Sequence, residues 1–344
     1  MGKFFCTQNW RKILKMKENK SLIKAIVSGV QRESFVLLCE QQEIQAKLRG
    51  VFYKENRVFP VVGDKVLISL NESGASMIER VLDRKSEFSR TDFSGHEAKY
   101  VKSIKEQVLA ANFDYVFIVD SLNKNFNLNR ITRYVSITLK SGAKPVVVLT
   151  KADLCDDVQC YINQVKSITE SLEVCAISAI TGMGMDQLEP YLKYGITIVL
   201  LGSSGVGKST LVNAIVGEDK MKVSEIREND AKGRHTTTHR QLITLPSGAS
   251  IIDTPGIREL GLWDASEGID DTFSDITQVI KKCKFRNCTH VTEPGCAVKK
   301  AIENMDISEE RWKLYCQLKE ENKWGKNKAV VSKNSKRGEG KTSC

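Results

Sequence analysis

Residues 202–210 read GSSGVGKST, and that spacing of glycines, a lysine and a serine suits the holding of a polyphosphate. Glycines let the backbone turn so that successive N–H groups face one anion. Lys208 would bridge the β- and γ-phosphates and Ser209 would ligate Mg2+. The apolar run TIVLL comes before the loop and a helical segment, Lys208 to Val216, comes after it. The loop therefore opens onto the positive end of a helix. Gly202, Ser203, Ser204, Gly205, Val206, Gly207, Lys208, Ser209 and Thr210 are the expected phosphate-binding residues.

Such a loop does not separate ATP from GTP. TKAD, Thr150 to Asp153, closes the apolar run PVVVL and can. A carboxylate only accepts hydrogen bonds. Guanine offers it two adjacent donors, at N1 and the 2-amino group, whereas adenine would leave it poorly paired. Lys151 would lay its aliphatic stem along the base plane. Thr150 stands where GTPases usually have Asn and keeps a hydrogen-bonding side chain. Thr150, Lys151, Ala152 and Asp153 form the expected base motif. In CAISAITG, Ser178 and Ala179 would turn backbone N–H groups towards the guanine carbonyl.

Two further segments complete a GTP site. IIDTPG places Asp253 to hold Mg2+ through water and the Gly256 N–H to sense the γ-phosphate. GRHTTTH, Gly233 to His239, lies where a switch segment supplies a threonine to Mg2+. Thr236, Thr237 and Thr238 all qualify, and Thr238 is preferred. The residue after DTPG is Ile257, and a hydrocarbon cannot orient an attacking water. His235 is the catalytic candidate; its alternative role is packing or contact with RNA.

The motifs run base, base support, phosphate, switch I, switch II. A usual GTPase runs phosphate, switch I, switch II, base, base support. One cyclic rotation interconverts them, so the G domain reads as circularly permuted, a change that compact folds with neighbouring termini tolerate.

Cys283, Cys288, His290 and Cys296 form a separate cluster: three thiolates and one imidazole within fourteen residues. That is a full Cys3His set for structural Zn2+, with no position left open for catalysis. The alternative is reduced, buried cysteines beside an incidental histidine.

The elements that would carry these motifs differ along the chain. Ser21 to Val81 reads as about five short strands broken by turns, which predicts a small OB-type barrel. YVFIVDSL, PVVVLT, EVCAIS, TIVLLG, QLITLP and SIIDTPG alternate with helical segments such as Asn127–Lys140, the pattern of a mainly parallel α/β sheet. From about Ser266 the chain reads as mainly helical, with a helix starting at DISE, where Asp306 caps and Glu309 reaches back.

The net charge of +10 sits at the ends. Residues 1–20 hold six Lys/Arg and one Glu, and residues 323–344 hold seven and one, so the body is near neutral. Solvated tails and attachment to a polyanion both fit. Ten cysteines spread through a long chain suit a reducing compartment. No apolar run approaches a membrane span, and MGKFFCTQNW lacks the pattern of a secretory signal.

TKADL, SAITG, GSSGVGKSTLVNAI, GRHTTTHRQL, IIDTPGIREL and CKFRNCTHVTEPGCAV together resemble the circularly permuted ribosome small-subunit-dependent GTPases (RsgA, also called YjeQ). The resemblance spans about Ser21 to Trp324. It implies a multidomain chain: an OB-type β-barrel (21–88), a central α/β permuted P-loop GTPase domain (89–265) and a small zinc-binding, mainly helical domain (266–324); outside it, composition marks a basic arm (1–20) and a basic disordered tail (325–344). It also implies GTP hydrolysis to GDP and phosphate, stimulated by the small ribosomal subunit and its rRNA during late maturation. The expected chain is a cytoplasmic monomer with Mg2+ at the nucleotide and one structural Zn2+. Because the segment after Gly256 leads directly towards the zinc domain, γ-phosphate loss is expected to shift that domain and loosen its grip on RNA.

Overall fold

The computed structural model describes residues 22–31, 34–40, 42–50, 52, 58–71, 74–91, 106–169, 171–217, 241–253 and 266–338. Most strands fall where the hydropathy pattern places them, and the pair at residues 87–91 and 106–111 is an addition to it. They are β1 (Ile23–Val30), β2 (Phe35–Cys39), β3 (Gln42–Leu48), β4 (Lys65–Ser69) and β5 (Ser76–Val81), followed by a hairpin of β6 (Glu87–Thr91) and β7 (Glu106–Ala111). Then come β8 (Tyr115–Ser121), α1 (Leu128–Lys140), β9 (Lys144–Thr150), α2 (Val158–Lys166), β10 (Glu173–Ala176), β11 (Thr197–Leu201), α3 (Lys208–Val216), β12 (Gln241–Thr244) and β13 (Ser250–Asp253). Four helices follow: α4 (Ser266–Thr272), α5 (Ser274–Ile280), α6 (Ala297–Glu303) and α7 (Glu309–Gly338).

The chain divides into two compact units, one of residues 1–115, 188–200 and 212–258, the other of residues 116–187, 201–211 and 259–344. In the first, β1 to β5 close on themselves. β1–β2, β2–β3, β5–β4 and β4–β1 are antiparallel, and β3–β5 is parallel. Val27, Leu37, Ala46, Val66, Ile68 and Ile78 fill the interior at complete burial, so one face of every strand is committed to the barrel core. Asp64 is buried and accepts from Arg84 Nε and Nη2 at 2.8 Å each, which fixes the chain leaving the barrel. β11 pairs in parallel with β13, β13 pairs with β12, and Gln241 of β12 pairs with Gly29 of β1.

In the second unit β10, β9 and β8 are neighbours in that order, with β9 and β10 parallel. Val146 to Leu149 are all at most 1% exposed, as expected of a strand covered on both faces. Asn127 caps α1 by accepting from the Arg130 N–H at 2.9 Å. The last helices gather on α1. Ser136 Oγ and Thr272 Oγ1 lie 3.0 Å apart, and a Cβ at position 268 would stand 1.9 Å from the Ser136 carbonyl oxygen, so only glycine allows α4 this close. Arg311 binds α5 through two 2.8 Å bonds to Asp275, caps the carbonyl end of α2 at Ser167 and Ile168, and covers the Phe273 ring at 4.8 Å.

Two expectations change here. Ser308, not Asp306, caps α7: its hydroxyl accepts from the Arg311 N–H at 3.2 Å, and Ile307 is buried between the two candidates. Residues 325–338, expected as disordered tail, continue α7 to Gly338. A helix already nucleated at Ser308 adds residues without a further nucleation cost. Residues 1–20 and 339–344 lie outside the described residues.

Candidate nucleotide site and metal cluster

The phosphate loop leaves β11 at Gly202, where a Cβ would lie 2.4 Å from the Val119 carbonyl oxygen of β8. Gly205 (φ 76°) and Gly207 (φ 94°) take the left-handed backbone that turns the loop. Val206 is fully buried and anchors it, while Ser204 and Gly205 are exposed and Ser203, Ser209 and Thr210 half-buried. Lys208, the first residue of α3, folds its Nζ back to the carbonyl oxygens of Gly202 (2.8 Å) and Ser203 (2.5 Å). The ammonium therefore sits over the loop mouth, where phosphate oxygens can replace the carbonyls as acceptors.

The base motif is fastened to this loop. Thr150, 3% exposed at the end of β9, has its Oγ1 2.6 Å from the Val206 carbonyl oxygen and 3.2 Å from that of Asp120. Lys151 adopts a left-handed φ of 60° and donates from Nζ to the Gly205 carbonyl at 3.2 Å. A non-glycine residue held in that conformation is typical of a functional turn. The Ala152 N–H donates to Ile177 at 3.0 Å, joining the motif to the end of β10. Asp153 then stands exposed in the turn Ala152–Leu154. The Ser178 N–H is already engaged with the Met183 carbonyl at 2.8 Å, so of the expected pair the Ala179 amide is the one that remains for a ligand.

One buried pair escaped the sequence reading. Asp120, 1% exposed at the end of β8, accepts from Arg130 Nη2 at 2.8 and 2.9 Å. Burial pushes its carboxyl up despite the opposing pull of Arg130. The pair holds the strand end whose carbonyl faces Thr150. An acid closing an apolar strand ten residues before an arginine was its only trace in the sequence.

Asp253 is the last residue of β13. Gly256, His235, Thr236, Thr237 and Thr238 lie outside the described residues.

The four metal-ligand candidates converge: one donor atom each from Cys283, Cys288, His290 and Cys296 lies within 4.8 Å of all the others. The His290 Nδ1 is 3.6 Å from Cys283 Sγ and 3.5 Å from Cys296 Sγ. Tetrahedral zinc, with bonds of about 2.3 Å to sulfur and about 2.0 Å to nitrogen, needs S···N edges of about 3.5 Å, so these side chains fit the ion. His290 takes φ 63° and stands edge-on to the Trp312 ring at 5.3 Å. Burial pushes its imidazole pKa down, which favours the neutral, ligating form. Glu293 accepts from the Thr289 hydroxyl (2.6 Å) and the N–H groups of Thr289, Val291 and Thr292, and these bonds hold its carboxyl down to about 2. A lowered carboxylate contributes in full above its ordinary value of 4.5 and loses that contribution as pH falls from there to about 2.

Metal analysis checks the cluster directly. The purified chain should carry about one zinc, and Cys283→Ser about none. Chelation under reducing conditions should speed amide exchange across residues 283–303 and leave β9 and β10 unchanged. Full metal content in Cys283→Ser would remove that residue from the ligand set.

The model of the RsgA GTPase family matches residues 81–263, more than half of the chain. The chain belongs to the RsgA GTPase family. Membership supports hydrolysis of GTP as the activity. The small ribosomal subunit biogenesis GTPase RsgA of Methanosarcina acetivorans is 44% identical over 292 residues, covering 84% of this chain and 76% of the relative. The crystal structure of YjeQ from Thermotoga maritima superposes with a TM-score of 0.66 at 29% identity, over 88% of this chain and 99% of that one. YloQ, described as a circularly permuted GTPase, gives a TM-score of 0.64 over 89% of this chain and 97% of its own; at 24% identity it speaks to the fold. The permuted fold of that GTPase agrees with the rotated motif order of this sequence. Among the described residues no helix is long and apolar enough to cross a membrane.

Proposed function

We propose that this GTPase acts on the small ribosomal subunit during late maturation and that the subunit stimulates its hydrolysis of GTP. The attachment of the base motif to the phosphate loop, through Thr150 to Val206 and Lys151 to Gly205, carries the nucleotide half of this reading. Asp153 takes the guanine N1 and 2-amino hydrogens, and the Ala179 amide takes the carbonyl. The amides of residues 203–210 cradle the phosphates and Lys208 bridges the β- and γ-oxygens. Ser209, Asp253 and Thr238 are the assigned Mg2+ partners, and that ion neutralises charge on the phosphate oxygens when bound. Gly256 senses the γ-phosphate and His235 orients the water.

The ribosomal half rests on the names of the relatives and on charge. Lys281, Lys282, Lys284, Arg286 and Lys300 are exposed around the metal cluster, together with the apolar Phe285 and Val291. Cations interleaved with an exposed aromatic ring suit an RNA surface. In the proposed plan an OB-type barrel (21–88), the permuted G domain (89–265) and a zinc-bearing helical module (266–324) act as one cytoplasmic monomer.

Turnover measured with small subunits, large subunits and generic RNA at rising salt tests this. Small subunits should accelerate hydrolysis by at least about tenfold and keep doing so at a salt concentration where generic RNA has dissociated. Equal stimulation by all three would reduce the protein to a nonspecific RNA-binding GTPase.

A further inference from the structure

Guanine presents two acceptors on its outer edge, O6 and N7, besides the donors at N1 and the 2-amino group. Asp153 can meet only donors. The Ala179 amide suits O6. A donor for N7 would have to come from the end of β9, where Thr150 is the hydrogen-bonding side chain packed beside the phosphate loop.

That hydroxyl has one proton. At 2.6 Å from Oγ1 the Val206 carbonyl oxygen takes it, and the Asp120 carbonyl at 3.2 Å is a second acceptor facing the same oxygen. Neither carbonyl can donate in return. What the hydroxyl has left is lone pairs, and a lone pair does not bond N7. Burial to 3% exposure leaves little room for the hydroxyl to swing away without stranding Val206. Lys151 gives one of its three Nζ protons to the Gly205 carbonyl at 3.2 Å, so the ammonium too is tethered to the loop.

We infer that this site reads guanine at N1, the 2-amino group and O6 and leaves N7 unread, with Thr150 acting as a positioning residue that fastens the phosphate loop to β9. This rests on the guanine-reading role given to Asp153 above. It also gives the departure from asparagine at position 150 a chemical meaning: the side chain serves the loop and not the base.

Binding of GTP, 7-deaza-GTP (a C–H in place of N7) and inosine triphosphate (no 2-amino group) to the full chain tests it. The first two should bind within about twofold of each other, and inosine triphosphate at least about tenfold more weakly, the size expected for one lost charge-assisted bond. Thr150→Val should weaken GTP and 7-deaza-GTP by the same factor, about fivefold or more, leaving their ratio near one. A tenfold preference for GTP over 7-deaza-GTP in the unmodified protein would overturn the inference, with or without a folded Thr150→Val variant. If that preference vanished in Thr150→Val, the hydroxyl itself would be the N7 reader. Inosine triphosphate binding as tightly as GTP would overturn the Asp153 reading instead, and this inference with it.

Discussion

Asp153→Asn is expected to lower GTP affinity by about 10²–10³-fold and to raise affinity for xanthosine triphosphate. The carboxylate stands exposed in its turn, held there by the Ala152 bond to Ile177 and the left-handed Lys151. The backbone is thus prearranged whatever the side chain at 153. Asparagine keeps one acceptor for N1–H but turns an N–H2 towards the 2-amino group, donor against donor. Xanthine carries a carbonyl at that position and restores the pair. Competition against a fluorescent guanine nucleotide gives both affinities. Unchanged GTP binding would mean that TKAD does not touch the base, and the protein would have to be reconsidered as a general nucleotide hydrolase.

Lys208→Ala should reduce single-turnover hydrolysis by about 10³-fold, with a smaller loss in GDP affinity. Nothing else on the described part of the loop supplies a positive charge; its other members are Gly, Ser, Val and Thr. The ammonium also closes the loop on itself through Gly202 and Ser203, so alanine removes charge and a tether together. Lys208→Arg should restore little, because a planar guanidinium cannot occupy the same compact position between two carbonyls. A drop of less than about tenfold would transfer the main electrostatic role to another group.

The phosphate loop and the base motif were legible because each is a short run whose glycines, lysine and acid act through local backbone geometry. Their attachment to each other was not, since Thr150 and Val206, 56 residues apart in sequence, meet only in the folded chain. The Asp120–Arg130 pair joins a strand end to a helix with no motif to announce it. The barrel shows the same boundary. Alternation in IKAIVSGV or DKVLISL marks a strand with one buried face, but the parallel β3–β5 pairing and the β1–β4 closure depend on register between distant segments. At the C-terminal end the convergence of Cys283, Cys288, His290 and Cys296 was readable from residue type and spacing. The extent of α7 was not, because polar residues with little to bury fit a solvated helix as well as a coil.

The neighbour order of the strands also sets a timetable for synthesis. β11 pairs in parallel with β13, which is made only after the phosphate loop, α3 and β12. Forty-eight residues lie between Leu201 and Ser250, which at about 5–20 residues per second leaves that edge bare for about 2–10 s. The barrel closes sooner: 34 residues separate Val30 from Lys65, an interval of about 2–7 s. A bare edge is a template for pairing with another chain. The crossover from β11 to β13 therefore sets the longer period in which each newly made molecule is open to the wrong partner.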